Sequence, residues 1–165
     1  MFCLDCGCEM VETRDAIVEK YKDESFAVEG VEHFVCPQCG EYLLTAVASR
    51  KLTKGLVSQY ARLHGLLTPE EIVAIRNNLN LTQVEFQKML GVSGVSVSRW
   101  ETGRAQQSKP LDNLMRGIAG YPCFAKDLME RSEVGVHRYV SKSTACSSFA
   151  HSEPVLPDIS FEGGN

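Results

Sequence analysis

Two pairs of cysteines near the start of the chain constrain its folding more than any other feature. Cys3 and Cys6 form one CxxC pair, Cys36 and Cys39 form a second, and 29 residues separate the two pairs. Each pair can make a tight turn that brings two thiolates to one ion, and four thiolates match a tetrahedral zinc site with zinc–sulfur distances of about 2.3 Å. Glycine follows each pair directly and relieves the steric demands of the turn. The first 45 residues are therefore predicted to form a metal-centred unit.

The stretch between the two pairs favours β-structure. Residues 25–28 and 31–35 are rich in β-prone side chains and Gly30 separates them, so we expect a zinc ribbon with short antiparallel strands. A unit of this size has too small an apolar core to fold alone, and the free energy of metal binding would supply its folding free energy. His33 is expected to be an exposed strand residue and not a ligand. Four protein ligands leave no open position for an activated water, so a metal hydrolase is not expected.

Three alternatives concern this centre. Cys8 could replace Cys6 as a ligand, although its spacing from Cys3 suits a CxxC turn less well. Iron bound as in rubredoxin would use the same four ligands as zinc. Thiol redox chemistry is the third alternative, but it would favour one reactive pair at the start of a helix over two pairs that flank strands. The prediction is one structural zinc ion per chain, bound by Cys3, Cys6, Cys36 and Cys39.

A second informative stretch, residues 81–103, is typical of two short helices joined by a tight turn. Thr82 and Glu85 have the spacing of a capping box, which predicts that the first helix begins at Gln83. Gly91 is expected to end that helix in a left-handed conformation. The apolar side chains of the helix are expected to form a buried stripe of Val84, Met89 and Leu90, with Phe86 only partly buried.

The second of these helices carries the residues that point to a function. Ser93 is expected to cap it and Gly103 to end it, while Val97 and Trp100 lie one turn apart and would face the core. The outward side then carries Gly94, Val95, Ser96, Ser98 and Arg99. Two helices with a glycine-bearing turn are the helix-turn-helix signature, whose second helix lies in the DNA major groove. A helical hairpin inside a larger all-α domain is the alternative, but small side chains and one arginine suit a close approach to base edges.

The remaining chain predicts further helices and a tail. A linking helix is expected over residues 46–67. Gly55 weakens it, so either a bend at that residue or movement of the two modules relative to each other is expected. The helix carries apolar side chains at mostly helical spacing, namely Val47, Leu52, Leu56, Val57, Tyr60 and Leu63. Thr68 and Glu71 form another capping box, and later helices are expected from about residue 108 and over residues 122–131. The predicted division is a zinc ribbon over 1–45, a linking helix over 46–67, an all-α helix-turn-helix domain over 68–131 and a flexible tail over 132–165.

Charge is distributed unevenly along the 165 residues, whose formal net charge is −4. Residues 1–45 hold three basic and ten acidic side chains, whereas residues 46–116 hold ten basic and five acidic ones. Phosphate contacts need local positive charge, so this asymmetry favours two modules with different partners, one of them nucleic acid. No apolar run approaches the roughly 20 residues of a membrane span and no signal peptide is found, which predicts a cytoplasmic protein without a membrane partner. No phosphate-binding loop, nucleophile elbow or carboxylate pair indicates an enzyme.

Four motifs in this order resemble those of the MqsA-type antitoxins, which join a YgiT-type zinc finger to a C-terminal helix-turn-helix domain of the XRE type. They are CxxCG at residues 3–7, CPxCGE at 36–41, GLLTPEEI at 65–72 and LTQxEF with VSRWExG at 81–103. The resemblance covers about 130 of the 165 residues and implies an α+β protein, with a zinc ribbon joined by a helix to a lambda-repressor-like domain. In that family the ribbon binds and neutralises an mRNA-cleaving toxin. The helix-turn-helix domain dimerises and represses the antitoxin's own operon.

The resemblance also implies roles for individual residues. The four paired cysteines correspond to structural zinc ligands, Gln83 to a residue near the phosphate backbone, and Arg99 to the arginine that contacts a base edge. Apart from the resemblance, Thr82 and Arg104 are also expected to lie near phosphates if the chain is a repressor. The family's type member has an asparagine on the second helix where this chain has Val95. Valine can contact a thymine methyl group but cannot make the bidentate contact to adenine, so the operator sequence should differ.

Two functional hypotheses follow. The first is a homodimeric repressor that binds an operator in double-stranded DNA. The second is an antitoxin whose acidic ribbon neutralises a toxin of the ribonuclease type, with DNA binding used to regulate its own operon. A stand-alone transcriptional regulator with no toxin partner is the alternative to the second hypothesis. The sequence assigns no role to Cys8, Cys123 or Cys146.

Overall fold

Five strands precede six helices in the computed structural model, which describes residues 1–135. The strands are β1 (Val11–Thr13), β2 (Ile17–Tyr21), β3 (Glu24–Val28), β4 (His33–Val35) and β5 (Tyr42–Leu43). The helices are α1 (Ala46–Leu63), α2 (Pro69–Asn78), α3 (Gln83–Leu90), α4 (Ser96–Glu101), α5 (Lys109–Gly120) and α6 (Pro122–Arg131). This order confirms the predicted α+β class, with short antiparallel strands before an all-α region. Most of the predicted tail, residues 136–165, lies outside the described residues.

The strands form two small antiparallel sheets. β4 is the central strand of a three-stranded sheet between β1 and β5, and β2 pairs with β3 as a hairpin. The sequence predicted only the stretches that form β3 and β4. β2 was missed because the charged residues Glu19 and Lys20 interrupt its apolar side chains, and β1 and β5 have only three and two residues.

α1 packs one face against the β2–β3 hairpin. The two elements share an apolar core of Ile17, Val28, Val31, Ala48, Leu52 and Leu56. Of the apolar residues at helical spacing, Leu52, Leu56 and Val57 are buried, whereas Val47 and Leu63 are 69% and 65% exposed. Both residues lie beside the buried stripe and not on it, since successive residues of a helix are about 100° apart.

Gly55 marks the closest approach of α1 to the hairpin. α1 continues through Gly55 as one helix from Ala46 to Leu63. A Cβ atom at Gly55 would lie 2.6 Å from Cγ1 and 3.2 Å from Cγ2 of Val28. Glycine is therefore needed at this position for packing.

Gly55→Ala is expected to lower the free energy of unfolding by about 1–3 kcal/mol, because the added methyl group displaces the stiff side chain of Val28. Denaturant unfolding monitored by circular dichroism measures this change. Gly120→Ala is the matched control, because a Cβ atom there meets nothing within 4 Å. The control is expected to stay within about 0.5 kcal/mol of the natural chain. Equal, small effects of both substitutions would contradict the close approach of α1 to the hairpin.

The helices from α2 to α6 surround a second apolar core. Its buried members are Leu67, Ile72, Ile75, Leu79, Leu81, Phe86, Met89, Leu90, Val97, Trp100, Met115, Ile118, Ala125, Met129 and Val134. Phe86 is completely buried, so the prediction that it is only partly buried is wrong. Val84 was predicted to be buried but is 72% exposed, because it lies two residues before Phe86 and therefore on the opposite side of α3. Among residues 1–135, no helix combines the length and the apolar character that crossing a bilayer requires.

The helix ends follow most of the predicted capping signals. α2 and α3 begin with the two predicted capping boxes, Thr68 with Glu71 and Thr82 with Glu85. Gly91 ends α3 in the left-handed conformation, with φ of 66°. The prediction that Ser93 caps α4 is wrong, because the left-handed Gly94 adds a further backbone turn and α4 begins at Ser96 with Val95 as its N-cap. The hydroxyl of Ser96 instead donates to the carbonyl oxygen of Ser93 at 2.8 Å.

A buried aspartate, Asp112, holds the connector between α1 and α2 against α5. Its carboxylate accepts hydrogen bonds from the backbone N–H of Leu67 at 2.6 Å, from Nε2 of Gln107 at 3.1 Å and from Nε of Arg116 at 2.9 Å. Burial on its own would raise the pKa of Asp112, but these hydrogen bonds outweigh it and hold the pKa below its ordinary value. The connector is therefore fixed to the helical region by a carboxylate whose bonds are satisfied.

Candidate metal centre and nucleic-acid interface

The four cysteines predicted from the two CxxC pairs lie together, with their sulfur atoms within 4.8 Å of one another. The Sγ atoms of Cys3 and Cys39 are 3.5 Å apart, those of Cys6 and Cys36 are 3.3 Å apart, and those of Cys6 and Cys39 are 3.7 Å apart. Four sulfurs placed tetrahedrally at about 2.3 Å from one ion would be about 3.8 Å apart. The cluster is therefore close to the size that a single ion requires. It is the one group of three or more candidate ligand residues found within residues 1–135.

The two CxxC turns have the same local geometry. The backbone N–H of Gly7 donates to the carbonyl oxygen of Cys3 at 3.0 Å, and that of Gly40 donates to the carbonyl oxygen of Cys36 at 3.0 Å. Gly7 and Gly40 have φ values of 71° and 76°, a left-handed conformation that favours glycine. The backbone thus explains why a glycine follows each cysteine pair.

The thiols of this cluster do not ionise independently. Hydrogen bonds from the backbone N–H groups of Cys39 and Gln38 outweigh burial and lower the pKa of Cys36 to about 6. The backbone hydrogen bond from Cys8 acts to lower the pKa of Cys6, but the sulfur contact with Cys36, together with burial, outweighs it and raises that pKa. Because one thiolate disfavours the next, a cation among the sulfurs is what would let all four ionise.

Two further candidate ligands lie outside the cluster. The half-buried thiol of Cys8 donates to Oε1 of Gln38 and is not part of the four-sulfur group, so the geometry favours Cys6 as the ligand.

The prediction that His33 is exposed is wrong, because only 4% of its surface is accessible. Nδ1 of His33 is hydrogen-bonded to the carbonyl oxygen of Val31 at 2.8 Å. β4, which carries His33, is the central strand of its sheet, and this position explains the burial.

α4 has one buried and one outward face. Val97 and Trp100 face the core and are 0% and 7% exposed. Of the predicted outward residues, Gly94, Val95 and Arg99 are exposed and Ser96 and Ser98 are partly exposed. Of the residues predicted to lie near phosphates, Thr82 and Arg104 are exposed and Gln83 is partly exposed. All eight residues therefore lie at the surface.

Some polar side chains on this outward face are already bonded within the protein. The hydroxyl groups of Ser96 and Thr102 donate to backbone carbonyl oxygens, and Thr102 does so to Ser98 at 2.6 Å. Within residues 1–135, the guanidinium groups of Arg99 and Arg104 have no hydrogen-bond or ion-pair partner. Their donors are therefore available to a bound ligand.

Behind the outward face, the carboxylate of Glu101 joins three parts of the helical region. It accepts hydrogen bonds from Nε of Arg76 at 2.5 Å, from Nη2 of Arg76 at 3.2 Å and from Nε2 of Gln83 at 2.6 Å. Nη1 of Arg76 also donates to the carbonyl oxygen of Leu81 at 2.9 Å. The last residue of α4 is thus bonded to α2 and to the first residue of α3, which fixes the rotation of α4 about its own axis. The network was not predicted from the sequence, because a pair 25 residues apart leaves no spacing signal.

Comparisons with known proteins match this combination of a cysteine cluster and a helical region. A family model described as the antitoxin component of a bacterial toxin-antitoxin system, MqsA, matches residues 1–129, a span that includes both the cluster and α4. The antitoxin MqsA of Escherichia coli strain K12 is 26% identical over 115 residues, which cover 69% of this chain and 88% of that protein. YiaG of the same strain, an uncharacterized HTH-type transcriptional regulator, is 36% identical over 67 residues, which cover 41% of this chain and 70% of that protein.

Proposed function

The chain belongs to the MqsA antitoxin family, and on this premise we propose that it is a sequence-specific DNA-binding transcriptional repressor and the antitoxin of a toxin–antitoxin pair. The observation that carries DNA binding is the outward face of α4, where Arg99, which has no partner among the described residues 1–135, lies among small side chains. Such a face can approach base edges in the major groove closely. In this proposal α4 is the recognition helix.

Each surface residue has a role in the proposed complex. Arg99 contacts a base edge, for which guanine is the partner that best fits the donors of a guanidinium group. Gln83 uses one amide hydrogen on Glu101, and its second amide hydrogen is left for a phosphate oxygen. In the proposed complex, Thr82 and Arg104 also lie near phosphate groups. The remaining contacts on the recognition helix are Gly94, Val95, Ser96 and Ser98.

The distribution of charge supports the same proposal. Residues 46–116, with ten basic and five acidic side chains, are the only strongly basic part of a chain whose net charge is negative. A homodimer would present two recognition helices to major grooves about one DNA turn apart, as other helix-turn-helix dimers do. We therefore propose that a homodimer is the DNA-binding form.

Binding to a duplex selected from a randomised library tests the proposal, with the full-length, metal-loaded protein and fluorescence anisotropy over a salt series. The association constant is expected to fall steeply with salt, with a log–log slope of about −0.9 for each phosphate neutralised. Arg104→Ala is expected to weaken binding to all sequences equally and to reduce that slope by about 1.

Lys126→Ala is the matched control for Arg104→Ala. Lys126 lies on α6, where it pairs with Glu130 at 3.7 Å, and its loss is expected to leave the slope unchanged. Failure to select any duplex, or binding that does not depend on salt, would contradict the proposed DNA-binding function.

The antitoxin half of the proposal is favoured by the charge of the ribbon. Residues 1–45 hold ten acidic and three basic side chains, which suits binding to the basic surface of a ribonuclease. Capture of the product of the neighbouring reading frame by the full-length protein, and rescue of cells from its toxicity, test this half. If the neighbour is neither captured nor toxic, the protein is a stand-alone regulator.

The role proposed for the metal is structural. Cys3, Cys6, Cys36 and Cys39 would hold one zinc ion, and four protein ligands leave no open position for a substrate or a water. Bound zinc would tie the two CxxC turns together and stabilise the sheet between them. Elemental analysis that finds about one zinc per chain in a colourless protein supports this assignment, whereas a coloured protein that contains iron overturns it.

A further inference from the structure

Val95 is an exposed apolar side chain among the proposed contacts of the recognition helix, and the group on the DNA that it contacts is not yet named. It is 55% exposed and serves as the N-cap of α4, although its side chain makes no capping hydrogen bond. A single exposed valine is ordinary on a protein surface. This one differs by its position, since it lies four residues before Arg99 and on the same face of the helix.

The spacing of Val95 and Arg99 determines how far apart on the DNA the two bases that they contact can be. The backbone N–H of Arg99 donates to the carbonyl oxygen of Val95 at 2.9 Å, so the two residues lie one helical turn apart. Side chains at this spacing are about 5–6 Å apart at Cβ, and stacked bases are about 3.4 Å apart along a strand. The base that faces Val95 is therefore one or two base pairs from the base that Arg99 contacts.

The surroundings of Val95 offer little hydrogen bonding to a base. Gly94 has no side chain, and the hydroxyl hydrogen of Ser96 is used on the carbonyl oxygen of Ser93. An amino group or ring nitrogen placed against Val95 would lose its hydrogen bond to water without a replacement, which is unfavourable. The 5-methyl group of thymine is the apolar group on the major-groove edges of the four base pairs.

We infer that Val95 selects thymine through its 5-methyl group, one or two base pairs from the guanine that Arg99 contacts. This inference rests on the proposed DNA-binding function and names the bases that the recognition helix prefers.

The test uses full-length, metal-loaded protein and the duplex selected from the randomised library. Each thymine of that duplex is replaced in turn by deoxyuridine, which removes the 5-methyl group and changes no hydrogen-bonding group. One of these replacements is expected to weaken binding about fourfold, the effect of one buried methyl group. It should lie within two base pairs of the guanine that Arg99 contacts, which is the guanine that the Arg99→Ala variant no longer prefers. Absence of such a position would overturn the inference.

The Val95→Ala variant connects this effect to one side chain. Its preference for the thymine duplex over the deoxyuridine duplex is expected to fall well below fourfold, because the two γ-methyl groups that reach furthest from the helix are lost. Val84→Ala is the matched control, since Val84 is an exposed valine on α3 and its loss is expected to leave the fourfold difference intact. A difference that persists unchanged in Val95→Ala would overturn the inference while the proposed function stands. If no duplex is selected, the proposed function fails, and the inference fails with it.

Discussion

Removal of the proposed metal ion is expected to unfold the sheet of β1, β4 and β5 while helices α2 to α6 stay folded. The apolar core beside this sheet has only three buried members, Cys3, Met10 and Cys36, and two of them are proposed ligands. Binding of a structural zinc ion is worth about 10–16 kcal/mol, so a core of this size does not replace it. Hydrogen exchange measured by NMR before and after chelation should show loss of amide protection in the three strands. The core of the helices shares no residue with this one, so protection there should persist.

Cys36→Ser and Cys8→Ser form a matched pair for the same prediction. Cys36 is buried in the sulfur cluster, whereas Cys8 lies outside it and bonds to Gln38. Cys36→Ser is expected to abolish stoichiometric metal binding and sheet protection, and Cys8→Ser to preserve both. A sheet that keeps its protection in the metal-free protein would contradict the prediction that the metal stabilises this part of the fold.

Truncation of Arg76, the largely buried partner of Glu101, is the second large expected effect. Arg76→Ala is expected to lower the free energy of unfolding by about 3–5 kcal/mol, because it leaves the carboxylate of Glu101 buried without its charged partner. The side chain of Glu101 is 4% exposed, so water does not replace the lost bonds. Gln83 keeps its bond to Glu101, but a neutral amide does not balance the charge. Denaturant unfolding followed by tryptophan fluorescence measures the effect directly, since the single tryptophan, Trp100, adjoins Glu101 in α4.

Lys88→Ala is the control for an exposed ion pair. Lys88 pairs with Glu133 at 3.9 Å, and their side chains are 56% and 88% exposed. Its loss is expected to cost less than about 1 kcal/mol, as is usual for exposed pairs. A similar small cost for Arg76→Ala would show that the pair with Glu101 is not buried in solution.

The sequence predicted those parts of the fold that depend on local signals. The two capping boxes, the left-handed Gly91 and the CxxC turns each involve residues within about four positions of one another, and all are found. Parts that depend on distant contacts were missed or wrong. Val84 was predicted to be buried and is exposed, whereas Phe86 was predicted to be partly buried and is completely buried. Both residues are apolar, so only the packing of α3 against its neighbours decides which one is buried.

The candidate sites divide in the same way. Four cysteines at a recognisable spacing were enough to predict the cluster, and the outward position of Arg99 followed from the period of α4. The bonds that hold α4 in place were not predictable, because Arg76 and Glu101 meet only after α2 and α4 have packed. The burial of Asp112 was missed for the same reason, since an aspartate in the first turn of a helix usually faces solvent.

The central claim, that α4 contacts base edges through Arg99, is tested most directly by the ratio of affinities for the selected duplex and for a shuffled duplex of equal length. Arg99→Ala is expected to weaken binding to the selected duplex by about 5- to 150-fold, the cost of one lost bidentate base contact. It should weaken binding to the shuffled duplex far less, so the ratio should fall, whereas Arg104→Ala should leave the ratio unchanged. Equal losses of affinity for both duplexes in the Arg99→Ala variant would contradict the claim, because they would mean that Arg99 contacts the phosphate backbone and not a base.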